Sequence, residues 1–157
     1  MKTQYEIFID AVSCALEDHS FGTRWYFDFD EQTTVPAIED VDCYPENGHR
    51  VLPIEPMSSW ESFDIMEDFV NGVDNEVERD KLAVALNQRH PFSAFKEMLH
   101  YTAQREKWFA YKEKRMKEIV EQWMADNEVV YKDNHVCCNS SSVLKYNMEE
   151  REDEDNF

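Results

Sequence analysis

Residues 24–30, Arg-Trp-Tyr-Phe-Asp-Phe-Asp, alternate: Trp25, Phe27 and Phe29 fall on one face, Tyr26, Asp28 and Asp30 on the other. Period two with this density of aromatics predicts a half-buried β-strand. Glu31-Gln32-Thr33 reads as a turn and residues 34–38 as a short return strand. Pro36 confines that strand to a sheet edge, because proline cannot donate to a ladder. The Pro-x-Asn-Gly stretch at 45–48 is turn chemistry, so 39–48 reads as a loop, and Val-Leu-Pro-Ile at 51–54 as a third short strand.

Outward from this hairpin the period changes to that of helices. Residues 5–18 set Ile7 or Phe8, Val12, Ala15 and Leu16 at helical spacing, with Gly22 a candidate left-handed stop. Ser58-x-x-Glu61 fits a capping box, followed by a stripe of Trp60, Phe63, Met66, Val70 and Val73. Asn75-x-x-Glu78 opens a helix carrying Val77, Leu82, Ala85 and Leu86, and Pro91 suits the first turn of one with Phe92, Phe95, Met98 and Leu99 inward. The longest runs from about 104 to 127 through Trp108, Phe109, Met116, Ile119, Val120, Trp123 and Met124. The reading is an α+β fold: a small antiparallel sheet of two or three strands packed against about five helices. Residues 1–131 are expected to form a single globular domain and 132–157 an acidic, mobile tail, with 149–155 solvated.

Composition agrees. In 157 residues, 42% are hydrophobic and 13% aromatic, too much apolar surface for a disordered acidic chain, while only 3 Gly argue against a turn-rich sandwich. The four cysteines, at 14, 43, 137 and 138, form no disulfide framework, and Met1–Glu6 lacks the layout of a signal peptide. A cytoplasmic protein with no membrane span is the expectation. The net charge of −18 is unevenly placed. Residues 1–80 hold 20 acidic and 4 basic side chains, 81–132 hold 7 and 10, and 133–157 hold 7 and 2. Such a field disfavours direct binding to nucleic acid or anionic membrane and favours a basic protein partner.

The cations of the longest helix do not reverse this. Lys107, Lys114 and Lys117 lie on its outward face together with Glu118 and Glu121, a mixed salt-bridged surface rather than a phosphate-tracking stripe. Lys112 and Arg105 point toward the apolar stripe, where they need a carboxylate partner or an escape to water. Arg89, Lys96, Arg105 and Lys112 are therefore expected to answer part of the acid internally. Asp28, Asp30, Glu31, Asp40 and Asp42 offer oxygens for a hard cation, but not in the spacing of a calcium loop. His135-x-Cys137-Cys138, with Cys43 or His49, lacks zinc-site spacing. No metal and no cofactor are expected, and glycines only at 22, 48 and 72 leave no phosphate loop.

The order of segments has a further meaning. The aromatic strand ending in acids, the helix W-E-S-F-D-I-M-E-D-F-V (60–70), L-x-x-A-L-N-Q-R-H-P-F-S-A-F-K (82–96), W-F-x-Y-K (108–112) and E-Q-W-M (121–124) follow one another. Together they resemble an uncharacterised bacterial protein family of the UPF series, whose members run Y-L-D-x-E-T-G-E, then G-R-x-A-F-R-x-F-K, then W and a W-L ending. The chain departs from that pattern at Glu31-Gln32-Thr33-Thr34-Val35, where E-T-G-E-V is usual, so its turn lacks the glycine. The resemblance implies a small bacterial protein with no established activity, and marks Asp28, Arg89, Phe92, Phe95, Lys96 and Trp108 as matching positions. From residues and resemblance together, the expectation is a non-enzymatic binding or regulatory protein with an acidic interaction face. The alternative is a small enzyme or ligand binder for an anionic substrate. It would use Arg89 and Lys96 to hold the anion near Asp28 and Trp108, and the candidate binding residues are Asp28, Arg89, Lys96, Trp108 and Lys112.

Overall fold

The computed structural model describes residues 1–38, 41, 43–141 and 143–147, and in it the aromatic stretch forms strand β1 (Thr23–Asp28). β1 pairs antiparallel with β2 (Thr33–Ile38), Thr23 facing Ile38 and Asp28 facing Thr33, which leaves 29–32 as the loop. On its other side lies β3 (Arg50–Ile54), also antiparallel, with Asp28 facing Val51. Strands β4 (Val129–Lys132) and β5 (His135–Cys138) form a separate hairpin. The two-residue strand β6 (Leu144–Lys145) returns to the first sheet, whose order is β2-β1-β3-β6. Pro36 sits, as its chemistry requires, on the edge strand β2. The fold is α+β, with five helices among the described residues. Its main sheet has four strands where the sequence pattern reads two or three.

Two compact units divide the chain: 1–56 with 117–157, and 57–116. In the first, α1 (Gln4–Glu17) opens on a capping box between Thr3 and Glu6 and lays Phe8, Ile9, Val12, Ala15 and Leu16 into the core. Phe8 meets Phe27 edge-on at 5.4 Å between ring centroids and stacks on Tyr131 of β4 at 5.8 Å. The turn into β1 uses Gly22 at φ +80 and is tied by Trp25 Nε1 donating to Asp18 Oδ2 at 2.7 Å. Residues 135–138 and 144–145, inside the stretch read as a tail from 132, are strands held by backbone pairing. That pairing needs no apolar period and so leaves little trace in the sequence.

The second unit is helical. It contains α2 (Ser59–Asn71), opened by the Ser58–Glu61 capping box, α3 (Glu76–Leu86), capped by Asn75, and α4 (Pro91–Leu99) with proline in its first turn. The first half of α5 (Arg105–Asp126) completes it, the residues of that helix from Lys117 on belonging to the first unit. Trp108 meets Phe95 at 4.9 Å and Phe69 at 5.3 Å, both near edge-on. Such pairs add about 0.5–1.5 kcal/mol each beyond the area they bury. The Glu78 carboxylate accepts from the backbone N–H of Ala103 and, at 3.2 Å, from Gln104 Nε2. The bond from Ala103, then that from Gln104, holds this carboxyl below its ordinary range.

Several apolar residues expected inside lie outside. Trp60 is 80% exposed, and Val77, Phe92 and Phe109 are exposed as well. The buried face of α2 is Ile65, Met66, Phe69 and Val70. At 3.6 residues per turn Trp60 lies about 120° around the helix from Met66, too far to share that face.

Candidate functional site

Asp28 ends β1 with no exposed surface. A carboxylate in that position must have its oxygens satisfied. Its Oδ1 accepts from the backbone N–H of Asp30 at 2.9 Å and of Glu31 at 3.0 Å, so the side chain shapes the turn that follows it. Its Oδ2 accepts from His49 Nδ1 at 2.8 Å. The other ring nitrogen of His49 lies 3.2 Å from Glu46 Oε2. His49 is thus gripped at both nitrogens by carboxylates, one buried and one exposed.

The backbone around His49 is equally determined. Its N–H donates to Glu46 O at 3.1 Å and its carbonyl accepts from Tyr146 N at 2.8 Å. Gly48, at φ +88, donates to Tyr146 O at 2.7 Å. That left-handed backbone is the reason for glycine, since a Cβ there would meet nothing within 4 Å. Asp30 Oδ2 accepts from Arg50 N at 2.7 Å, so the β1–β2 turn and the start of β3 are joined through two neighbouring acids. The hydrogen bond to Asp28 raises the His49 imidazole above its ordinary value, and the charges of Asp28, Asp30 and Glu46 act in the same direction. The arrangement is built to hold a proton.

Ligand atoms of Asp28, Asp30 and His49, and of Glu31, Glu46 and His49, lie within 4.8 Å of one another. The first set is engaged in its own hydrogen bonds, and proximity alone does not make a cation site. Asp40 and Asp42 lie outside the described residues. His135 Nδ1 lies 3.1 Å from Cys137 Sγ, while Cys138 is buried and donates to Asn127 O at 3.1 Å. Among the described residues these three gather no group of metal-ligand size.

The other sequence-derived candidates, Arg89, Lys96, Trp108 and Lys112, belong to the second unit, Asp28 to the first. Arg89 lines an open cleft of about 530 Å³ formed by α3 and α4, with Val84, Gln88, His90, Glu97 and Tyr101 among its walls. Lys96, Trp108 and Lys112 do not line it. Trp108 is buried in the aromatic cluster, Lys96 is exposed and Lys112 half-buried. Among the described residues Arg89, Lys96 and Arg105 make no ion pair. For these three the expected internal answer to the acid is therefore corrected. Arg105 instead lies over the Phe109 ring at 5.2 Å, and the exposed cations stay hydrated because a surface pair gains little over water.

The sequence alone offers His49 only as a remote zinc candidate and Gln32 only as a turn residue. The signal for His49 was available: a Pro-x-Asn-Gly turn delivers the next residue to the start of a strand, opposite the end of β1 where an acid waits.

Residues 9–145 match the model of an uncharacterised protein family, UPF0158. A UPF0158 protein of Pseudomonas aeruginosa is 34% identical over 92 residues, which are 57% of this chain and 60% of the relative. The chain thus spans less than two thirds of that relative's length. No solved structure matches the chain. With the match running from within α1 to β6, the chain belongs to the UPF0158 family, whose function is uncharacterised.

Proposed function

We propose that the protein is a non-enzymatic binding or regulatory protein whose acidic helices α2 and α3 meet a basic partner. One observation carries this reading. Residues 61–80 hold eight acidic side chains and one basic one, and Asp64, Glu67, Asp68, Asp74, Glu76 and Asp80 are exposed without an ion pair among the described residues. Carboxylates left to solvent in such density repel one another, and a cationic surface relieves that repulsion while steering its own approach. Trp60, exposed at the head of the same helix, supplies the aromatic anchor that interfaces favour. The alternative, an anionic-substrate site using Arg89 and Lys96 near Asp28 and Trp108, asks for one pocket joining them. The cleft at Arg89 leaves the other three out.

The test is a pulldown from lysate at low and high salt, with wild type beside Glu67→Lys/Asp68→Lys. A partner held at low salt, released by high salt and lost in the charge-reversed variant is expected. Capture of nothing at low salt, or a partner indifferent to the reversal, sinks the reading.

A further inference from the structure

We propose that the proton on His49 is a latch that holds strand β6 against the edge of β3. β6 is a meagre strand. Its ladder consists of Arg50 facing Lys145 and Val51 facing Leu144, and Leu144 is 56% exposed. Further along β3, Pro53 has no N–H to offer a ladder. The strongest tie of β6 lies just past its end. Tyr146 N donates to His49 O and Tyr146 O accepts from Gly48 N, at 2.8 and 2.7 Å, while the Tyr146 ring is buried against Tyr26 at 6.0 Å. The β6 segment is therefore fastened to the turn at 46–49, and that turn is fastened by His49.

The groups around the imidazole show why its proton decides the matter. Asp28 from β1 takes Nδ1, Glu46 from the turn itself faces Nε2, and Asp30 and Glu31 approach from the β1–β2 turn. The cations nearby in sequence and register are Arg50, which gives its backbone N–H to Asp30, and Lys145 opposite it. With both ring nitrogens protonated, His49 is a donor to two carboxylates at once. Once one proton leaves, the remaining one stays with Asp28, the buried acceptor whose loss is costlier. Nε2 then presents a lone pair to the Glu46 oxygen. Glu46 is repelled, the turn keeps only its backbone bond from His49 N to Glu46 O at this point, and the two bonds to Tyr146 rest on a looser base. The raised affinity of His49 for its proton puts this release on the alkaline side of ordinary histidine titration.

Hydrogen exchange with NMR detection on the intact chain tests the latch. The His49 ring is followed as a function of pH together with the amides of Tyr146, Gly48 and, as a control within the sheet, Phe27. Protection of Tyr146 and Gly48, corrected for intrinsic exchange, should fall several-fold as His49 loses its proton, while Phe27 stays protected. His49→Gln, which carries no titrating ring yet can still donate to Asp28, should give protection at Tyr146 that no longer changes over that range. Glu46→Gln removes the repulsion and should blunt the wild-type change. Equal pH dependence of Tyr146 protection in wild type and His49→Gln would overturn the proposal. So would His49 titrating with no change at Tyr146, or Phe27 losing protection in parallel, since that reports unfolding of the sheet.

Discussion

Gln32 and Val136 exchange hydrogen bonds in both directions, Val136 N donating to Gln32 Oε1 at 2.7 Å and Gln32 Nε2 donating to Val136 O at 2.9 Å. One side-chain amide thereby joins the next place of a strand ladder, linking the β1–β2 turn to the β4–β5 hairpin 104 residues on. The same Nε2 donates to Phe29 O at 2.7 Å. Gln32 does this from the left-handed region, at φ +60, where a side chain costs about 1–2 kcal/mol. Gln32→Ala keeps the backbone cost and loses the three bonds, so it should lower stability by about 1–3 kcal/mol. Gln32→Gly loses the same bonds but relieves the backbone, and should be milder than alanine by about 1 kcal/mol. Urea unfolding of the pair measures both; an alanine variant as stable as wild type would show the bridge contributes nothing.

Asp28→Asn is a sharper perturbation than its size suggests. The amide can keep the bonds from Asp30 and Glu31 on its oxygen, but then turns an N–H donor toward His49 Nδ1. That donor opposes a protonated Nδ1 and is accepted only by the neutral ring, so the substitution works against the imidazolium at a site where Asp28 is fully buried. A loss of about 2–4 kcal/mol is expected in chemical denaturation, with His49 titrating lower than in wild type by NMR. An unchanged His49 titration would contradict the pairing described here.

Acid and base act on different side chains. His49 binds its proton more tightly folded than unfolded, so its contribution is whole below about pH 6.5, the ordinary histidine value, and is lost as pH rises through its folded value. Glu78 and Asp18 are shifted down, Glu78 chiefly by the bond from Ala103 and Asp18 by that from Ser20. Their contributions are whole above the ordinary carboxylate range and fade as pH falls through their lowered values. Glu78→Gln should flatten the acid limb of the stability–pH curve, and His49→Gln the limb above neutrality. Each is read from denaturation midpoints at a series of pH values. A variant that merely displaces the whole curve would refute its assignment.

Trp108 lies between Phe69 and Phe95, with Tyr111 at 6.4 Å. Trp108→Ala should cost about 3–5 kcal/mol, in the range of buried aromatic deletions, and Trp108→Phe distinctly less. If Trp108 were instead a binding residue at a surface, alanine would be nearly neutral in thermal unfolding.

Much of the fold was legible where side chains carry the pattern. The alternation at 24–30 located β1 and its edge partner, Ser58-x-x-Glu61 located the start of α2, and Pro91 that of α4. Elements made by backbone alone were not legible: β6 has two exposed residues and no period, yet closes the sheet. The hairpin glycine shows the same limit at finer scale. Setting E-T-G-E-V on Glu31–Val35 puts the missing glycine at Thr33, whereas the left-handed residue is Gln32. Laid from Tyr26, Y-L-D-x-E-T-G-E places its glycine on Gln32 itself, so the departure is one residue earlier than the shorter motif implies. The candidate site divides likewise. Asp28 stood out as an acid on an aromatic strand, but the partner that gives it meaning is 21 residues away across a loop. Arg89, Lys96 and Lys112 stood out by charge alone, which says that a side chain is solvated and not what it meets.

The exposed ring of Trp60 makes the molecule its own reporter. Of four tryptophans Trp108 is buried, Trp25 and Trp123 are partly covered, and Trp60 is open to water among acids. Its fluorescence should therefore be red-shifted, quenched by caesium and spared by iodide. A partner seated on α2 would turn that emission blue and shield it, so association can be followed without a label, and Trp60→Phe would silence the signal while leaving the acids in place.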